Sequence, residues 1–263
     1  MAERKQTAII TGGLSGIGLE TALMLIRRGV NVAVASTRVG RAEAETAEAI
    51  IAAEARRHDG QWLSQRIDIR DTASVDEGVA AIASALGDVT ILVNAAGTYN
   101  HEALHQHTDE TWEDTLASNL TGPFRMTRAV WPMMLAAGHG RIINIASTAA
   151  HRGAAEYAGY CSAKAGVLGL TRVSALEGAP HGITANSISP SWVDTPMMAA
   201  SLGSQADRRG VAVDDIYAEA RRDNPQGRII TPDEIAGQIT WLALDAPPAL
   251  TGEDILMTGG ASW

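Results

Sequence analysis

Short apolar runs alternate with longer amphipathic ones along nearly the whole chain. Ala8-Ile9-Ile10 predicts a strand that stops at Gly12-Gly13, and the 3.6-residue apolar spacing over 17–28 predicts a helix. Residues 30–35 predict a second strand, 40–57 a helix rich in Ala, Glu and Arg, and 63–69 a third strand. A helix over 75–86, a strand over 89–93 and a long helix over about 108–137 follow. Beyond them the pattern predicts a strand over 141–146, a helix over 157–176 and a strand over 183–188. Residues 194–228 are polar and irregular, too long for a plain loop, which predicts a lid with short helices of its own. Thr231-Pro232-Asp233-Glu234 then opens a helix to Leu244 with Thr as cap, Pro in the first turn and an acid three residues on. The last strand covers 254–257.

Strand–helix alternation of this kind predicts an α/β fold, a Rossmann-like doubly wound parallel sheet of about seven strands with helices on both faces. The chain has no linker, repeat or low-complexity block, so 1–263 reads as a single domain. Ligands of such sheets sit beyond the carboxyl ends of the strands.

Composition narrows the function. Apolar residues make up 46% and aromatics 4%, so small aliphatic side chains must fill the core. The net charge of −9 repels phosphate backbones and anionic bilayers, which argues against nucleic-acid and membrane partners. With Cys161 alone no intrachain disulfide forms. No signal-peptide pattern and no apolar run near the ~20 residues of a membrane span are present, so the expectation is a cytoplasmic protein.

Three features carry chemistry. The run Thr11-Gly12-Gly13-Leu14-Ser15-Gly16-Ile17-Gly18 sits between a predicted strand and helix, where glycines permit a tight turn and close approach of a pyrophosphate to free helix N–H groups. Tyr160 and Lys164 lie four apart on a predicted helix, so phenol and ammonium share a face. A free tyrosine titrates near 10, and bringing it to about 7 takes roughly 4 kcal/mol, which Lys164 and a positive nicotinamide ring could supply together. Ser147 ends the fifth strand, where its hydroxyl can bond a substrate oxygen.

These motifs, in this order, resemble the short-chain dehydrogenase/reductase family, and within it the β-ketoacyl and polyketide ketoreductases. Thr11–Gly18 is similar to its TGxxxGxG, Asn94-Ala95-Ala96-Gly97 to its NNAG with Ala95 in place of the second Asn, and Pro190-Ser191 to its PG step. The resemblance implies hydride transfer between NADP(H) or NAD(H) and a secondary alcohol or ketone, with Asn119, Ser147, Tyr160 and Lys164 as the catalytic set. It implies that Tyr160 exchanges the proton, that Lys164 lowers its pKa and holds the ribose, and that Asn119 supports a water relay. It also implies cofactor contacts from Gly12, Leu14, Ser15, Gly16, Ile17 and Gly18, from Asp68 and Ile69 near the adenine, and from Asn94, Ala95, Gly97, Pro190, Val193 and Thr195. Ser36, Thr37 and Arg38 follow the second strand where an NAD site carries an acid, so NADP(H) is favoured and NAD(H) stays open. Implied substrate-facing residues are Ala149, His151, Tyr157, Trp192, Met197 and Met198. Thr195-Pro196-Met197 and Asn224-Pro225-Gln226-Gly227-Arg228 add to the ketoreductase likeness, and a β-keto or cyclic ketone is the first substrate expectation. The resemblance further implies a homotetramer built on helices 108–137 and 157–176, with Trp263 at another subunit contact.

Other readings stand beside this one. An NAD-dependent hydroxybutyrate- or sugar-alcohol-type dehydrogenase shares the motifs. A catalytically idle NAD(P)-sensing protein would keep the cofactor loop, although the complete Asn119/Ser147/Tyr160/Lys164 set argues against it. His101-Glu102-Ala103-Leu104-His105 spells the HExxH of zinc hydrolases, but it precedes the predicted helix at Thr108, so a surface loop without metal is expected.

Overall fold

The apolar runs become the strands of one parallel sheet. The computed structural model describes residues 5–261. Its strands are β1 (Thr7–Thr11), β2 (Asn31–Ala35), β3 (Trp62–Gln65), β4 (Val89–Asn94), β5 (Gly140–Ile145), β6 (Ile183–Pro190) and β7 (Asp254–Met257). They pair in the order β3-β2-β1-β4-β5-β6-β7, every pair parallel. Helices α1 (Gly16–Arg27), α2 (Ala42–Arg57), α3 (Thr72–Leu86), α4 (Asp109–Leu116), α5 (Gly122–Ala137), α6 (Ala158–Gly178) and α9 (Pro232–Leu244) cover its two faces.

Side chains of β1 show why both faces are covered. Ala8 and Ile10 point into a core shared with α1, α2 and α9, while Ile9 points into the core shared with α3 and α5. Period-2 alternation between two apolar layers turns a central strand into a continuous apolar run. Each fully buried Ile or Leu there contributes about 1.5–3 kcal/mol.

Strand order reverses between β1 and β4, and a crevice opens at that point. Two local departures from the predicted pattern matter for it. The third strand ends at Gln65 rather than at residue 69. Its neighbour β2 ends at Ala35, so the ladder closes with Ser36 N donating to Gln65 O and Ile67 N donating to Ser36 O. Asp68 and Ile69 therefore lie in irregular chain past the sheet edge, where Asp68 N donates to Ser74 Oγ.

The predicted helix 108–137 is not continuous. A π turn at Ala117–Thr121 separates α4 from α5 and carries Asn119. Such one-turn widenings cluster at functional sites because the extra residue re-aims a side chain.

Residues 194–228 hold two helices, α7 (Pro196–Arg209) and α8 (Val213–Arg222). Thr195 caps α7 by accepting from Met198 N, and left-handed Gly210 ends it. The pair closes on its own small apolar cluster of Met198, Leu202, Ala206, Ile216 and Ala220, with Trp192 and Tyr217 packed against it. The start of α9 is the capping box that the sequence spells, with Thr231 and Glu234 capping each other's backbone. No helix among the described residues is long and apolar enough to cross a membrane.

Candidate active site

Above the carboxyl ends of the strands lies a cavity of about 700 Å³. At one end the glycine loop runs from β1 into α1. Gly12 has φ +70°, and a Cβ there would come within 3.0 Å of the Ala96 backbone. A Cβ on Gly18 would meet the carbonyl oxygen of Gly12 at 2.5 Å. The first turn of α1 has no side-chain cap, since Ser15 makes none, so its N–H groups face the cavity with the positive end of the helix dipole. The loop is thus packed backbone on backbone, with no room for a side chain at Gly12 or Gly18.

Thr11 braces the opposite lip. Its Oγ1 accepts from Ala95 N and Ala96 N, each at 3.1 Å, and so fixes the loop that follows β4. Ser36, Thr37 and Arg38 line the next wall. Arg38 donates to Ser15 Oγ at 2.8 Å, bridging the glycine loop and the end of β2, and its backbone N donates to Ser36 Oγ. Asp68 and Ile69 line the same end. Arg70 grips Asp68 through two side-chain nitrogens and holds its carboxyl below the usual range.

Tyr160 and Lys164 lie on the cavity face of α6, with the Lys164 ammonium 5.6 Å from the Tyr160 ring centroid. Both sit deep in the cleft. Lys164 Nζ donates to Ile145 O at 2.7 Å, and burial lowers its pKa to about 8. Burial raises Tyr160 above its ordinary value, and a hydrogen bond from Ser147 partly opposes that. In the protein alone, without the nicotinamide ring, desolvation outweighs that bond. Ser147 begins the short turn Thr148–Ala150, with its Oγ accepting from Ala149 N.

Asn119 reaches the same place from the π turn. Its Nδ2 donates to Thr98 O and Thr115 O at 2.9 and 3.0 Å. Its Oδ1 is buried without a protein partner and stands against Gly97, where a Cβ would approach it to 2.5 Å. A buried acceptor of this kind is a water-binding position.

Pro190, Val193 and Thr195 line the wall between these two ends, as do Ser15, Gly16, Ile17, Ala95 and Gly97. Ala149, Tyr157, Trp192, Met197 and Met198 line the far end. Three expected residues fall elsewhere. The Leu14 side chain packs into the core, which leaves only its backbone at the loop. Asn94 Nδ2 donates to Asn144 Oδ1, whose Nδ2 donates to Thr171, so Asn94 belongs to a buried ladder joining β4, β5 and α6. His151 turns away from the cavity and pairs with Asp254 at 2.6 Å. Ser187 and Ser189 donate to the other oxygen of that carboxylate and hold it in place. The HExxH stretch 101–105 forms no helix, so His101 and His105 share no helical face, and His101 instead contacts Arg208.

Residues that sequence reasoning missed also line the site: Tyr99, Arg152, Ser201, Gln205 and Asp223. A signal did exist for two of them. Met197, Ser201 and Gln205 recur every four residues from the capped start of α7, which puts them on one face.

Comparison with known proteins places this geometry. The family described as short chain dehydrogenase matches residues 6–206. A monensin polyketide synthase putative ketoacyl reductase of Streptomyces virginiae is 37% identical over 97% of this chain and 96% of its own length. A D-beta-hydroxybutyrate dehydrogenase of Cupriavidus necator is 35% identical over 97% of each. Among solved structures, an actinorhodin polyketide ketoreductase with NADPH superposes with a TM-score of 0.91 at 34% identity, covering 99% of both chains.

Proposed function

The chain belongs to the short-chain dehydrogenase family of NAD(P)-dependent oxidoreductases, and from that premise we propose an NADP(H)-preferring reductase of a β-keto or cyclic ketone with Tyr160 as its proton donor and acceptor. One observation carries the reading: Tyr160, Lys164, Ser147 and Asn119 converge on one end of a cavity whose other end is the glycine cradle. The uncapped α1 N-terminus, drawn up to the loop by glycines whose backbones leave no room for a Cβ, fits a pyrophosphate. The dinucleotide, when bound, supplies the hydride.

In the reducing direction the buried Tyr160 hydroxyl stays protonated at neutral pH and gives its proton to the oxygen that becomes the alcohol. Ser147 donates to that same oxygen and shares the charge developing on it. Lys164, anchored on Ile145 O, keeps two further N–H groups for the ribose hydroxyls and for a proton path past Asn119 Oδ1. Arg38 beside Ser15 and Ser36, with no carboxylate at the end of β2, supports NADP(H) over NAD(H), because an acid there would repel a 2′-phosphate. The relatives named as ketoacyl and polyketide ketoreductases support the substrate class. The hydroxybutyrate dehydrogenase relative keeps an NAD-dependent alcohol dehydrogenase as the second reading.

Two further parts of the reading concern the whole chain. Residues 194–228 act as a lid over the substrate end. The molecule works in the cytoplasm as a homotetramer, supported by exposed Phe124 on α5 and Val173 and Leu176 on α6. The expected contact at Trp263 lies outside the described residues.

The test is Tyr160→Phe assayed with NADPH and with NADH. The variant should bind NADPH as the unmodified chain does and turn over at least about a thousandfold more slowly, since it has lost its proton-transfer group. Retained turnover would refute the role of the phenol. NADH performing as well as NADPH in the unmodified protein would move the reading to the NAD-dependent alternative, and no turnover across a panel of ketones and alcohols would favour the cofactor sensor.

A further inference from the structure

The substrate end of the cavity carries a polar cluster that the hydride chemistry does not use. Tyr157 precedes α6, and its ring stands edge-on to the Tyr160 ring with centroids 6.4 Å apart. Its hydroxyl lies 3.3 Å from Ser201 Oγ. Gln205, one turn further along α7, donates through Nε2 to Tyr157 OH at 3.4 Å and to Ser201 Oγ at 3.5 Å. All three residues line the cavity.

These bonds are long. Each sits at the outer limit of N–H···O and O–H···O distances, where a hydrogen bond keeps little of its strength. Groups paired so loosely lose little by turning to a better-placed substrate oxygen, to which they can donate. Met197, Met198 and Trp192 add apolar surface beside the cluster, and Arg152 and Asp223 line the same cavity. The reacting oxygen belongs at Tyr160 and Ser147. The cluster lies on the Tyr157 side of that position.

We infer that Tyr157, Ser201 and Gln205 recognise a second oxygen on the substrate, remote from the carbonyl being reduced, so that the chain selects dicarbonyl over monocarbonyl substrates. This rests on the ketone-reductase reading above and narrows it: a β-dicarbonyl or cyclic dione fits, and an unfunctionalised ketone does not. The physical basis is asymmetric. A site built to hydrogen-bond a substrate oxygen rejects the analogue lacking it, because the donors are then left unpaired under a closed lid. Tyr157 also lines the cavity with its ring, so it can orient a cyclic substrate as well as bond an oxygen.

The experiment compares NADPH-dependent reduction of a cyclohexanedione and of cyclohexanone, two substrates of one size. The unmodified protein should favour the dione in kcat/KM by at least about tenfold, the worth of one well-made hydrogen bond to a partly buried group. Gln205→Met keeps the length of the side chain and removes its amide, and Ser201→Ala removes one hydroxyl. Either should bring the dione-to-monoketone ratio toward one, mainly through KM. A ratio near one in the unmodified protein overturns the inference while leaving the reductase reading intact. So does an equal loss on both substrates in both variants, which is what a merely structural role would give. If neither ketone is reduced by the unmodified protein, the reductase reading falls and this inference falls with it.

Discussion

Lys164 is costly to the fold, and the proposed chemistry is what requires it there. Its ammonium is buried against a single backbone carbonyl, and its pKa drops to about 8 from the ordinary 10.5. The sign follows from proton counts: between these values the unfolded chain holds a proton that the folded chain has lost, so stability rises as pH climbs from about 8 toward 10.5. Below pH 8 the full cost of the buried charge is present, on the order of 3 kcal/mol before the bond to Ile145 is subtracted. Lys164→Met should therefore unfold at higher denaturant concentration at pH 7, by about 1–3 kcal/mol, while losing turnover. Equal or lower stability in urea titrations would contradict this account. Tyr160 carries the companion prediction. Because burial holds its proton, ketone reduction should be flat through neutral pH and fall on the alkaline side, while alcohol oxidation should rise there. Rate profiles in both directions test it.

At the scale of elements, the site depends on how strands and helices end. The glycine loop works because Gly18 passes close over the Gly12 carbonyl, so Gly18→Ala should displace the α1 N-terminus and weaken NADPH binding by at least about tenfold, read by fluorescence titration. The break between α4 and α5 brings Asn119 to the Gly97 wall that Lys164 also borders, and no residue pattern announces it. The apolar spacing of 108–137 is that of one helix, and the π turn forms where the Asn119 side chain bonds the Thr115 and Thr98 carbonyls. By contrast the start of α9 was fully legible, because a capping box is a local device of four residues. Thr231→Ala should cost about 1 kcal/mol of stability without affecting cofactor affinity. His151 marks the limit of such local reading. Its partner Asp254 lies over a hundred residues away on β7, and only the packing of β5, β6 and β7 brings them together.

For the whole molecule, the reversal of strand order between β1 and β4 decides where function sits. It opens the crevice, and the loops after β1 and β4 close on each other there through Thr11 and the Ala95-Ala96 backbone. Exposed Val173 and Leu176 on α6, with Phe124 on α5, are the apolar surface that the tetramer reading buries. Replacing Val173 and Leu176 by Lys should then lower the sedimenting mass; a mass that is unchanged, or already that of one chain before substitution, would remove the tetramer from the proposal.

Periodicity and short-range motifs were enough for the parallel α/β order, the glycine cradle, the Tyr160–Lys164 step and the Ser147 position, because each depends on contacts within about one turn or on strands too apolar to be anything else. Which side chains face the cavity followed from long-range packing. The π turn at Asn119, the withdrawal of His151 to Asp254, the buried ladder that claims Asn94, and the Tyr157–Ser201–Gln205 cluster all join segments distant along the chain. Hydrogen bonds between such segments leave no mark in local composition, since either partner alone would suit a dozen other positions.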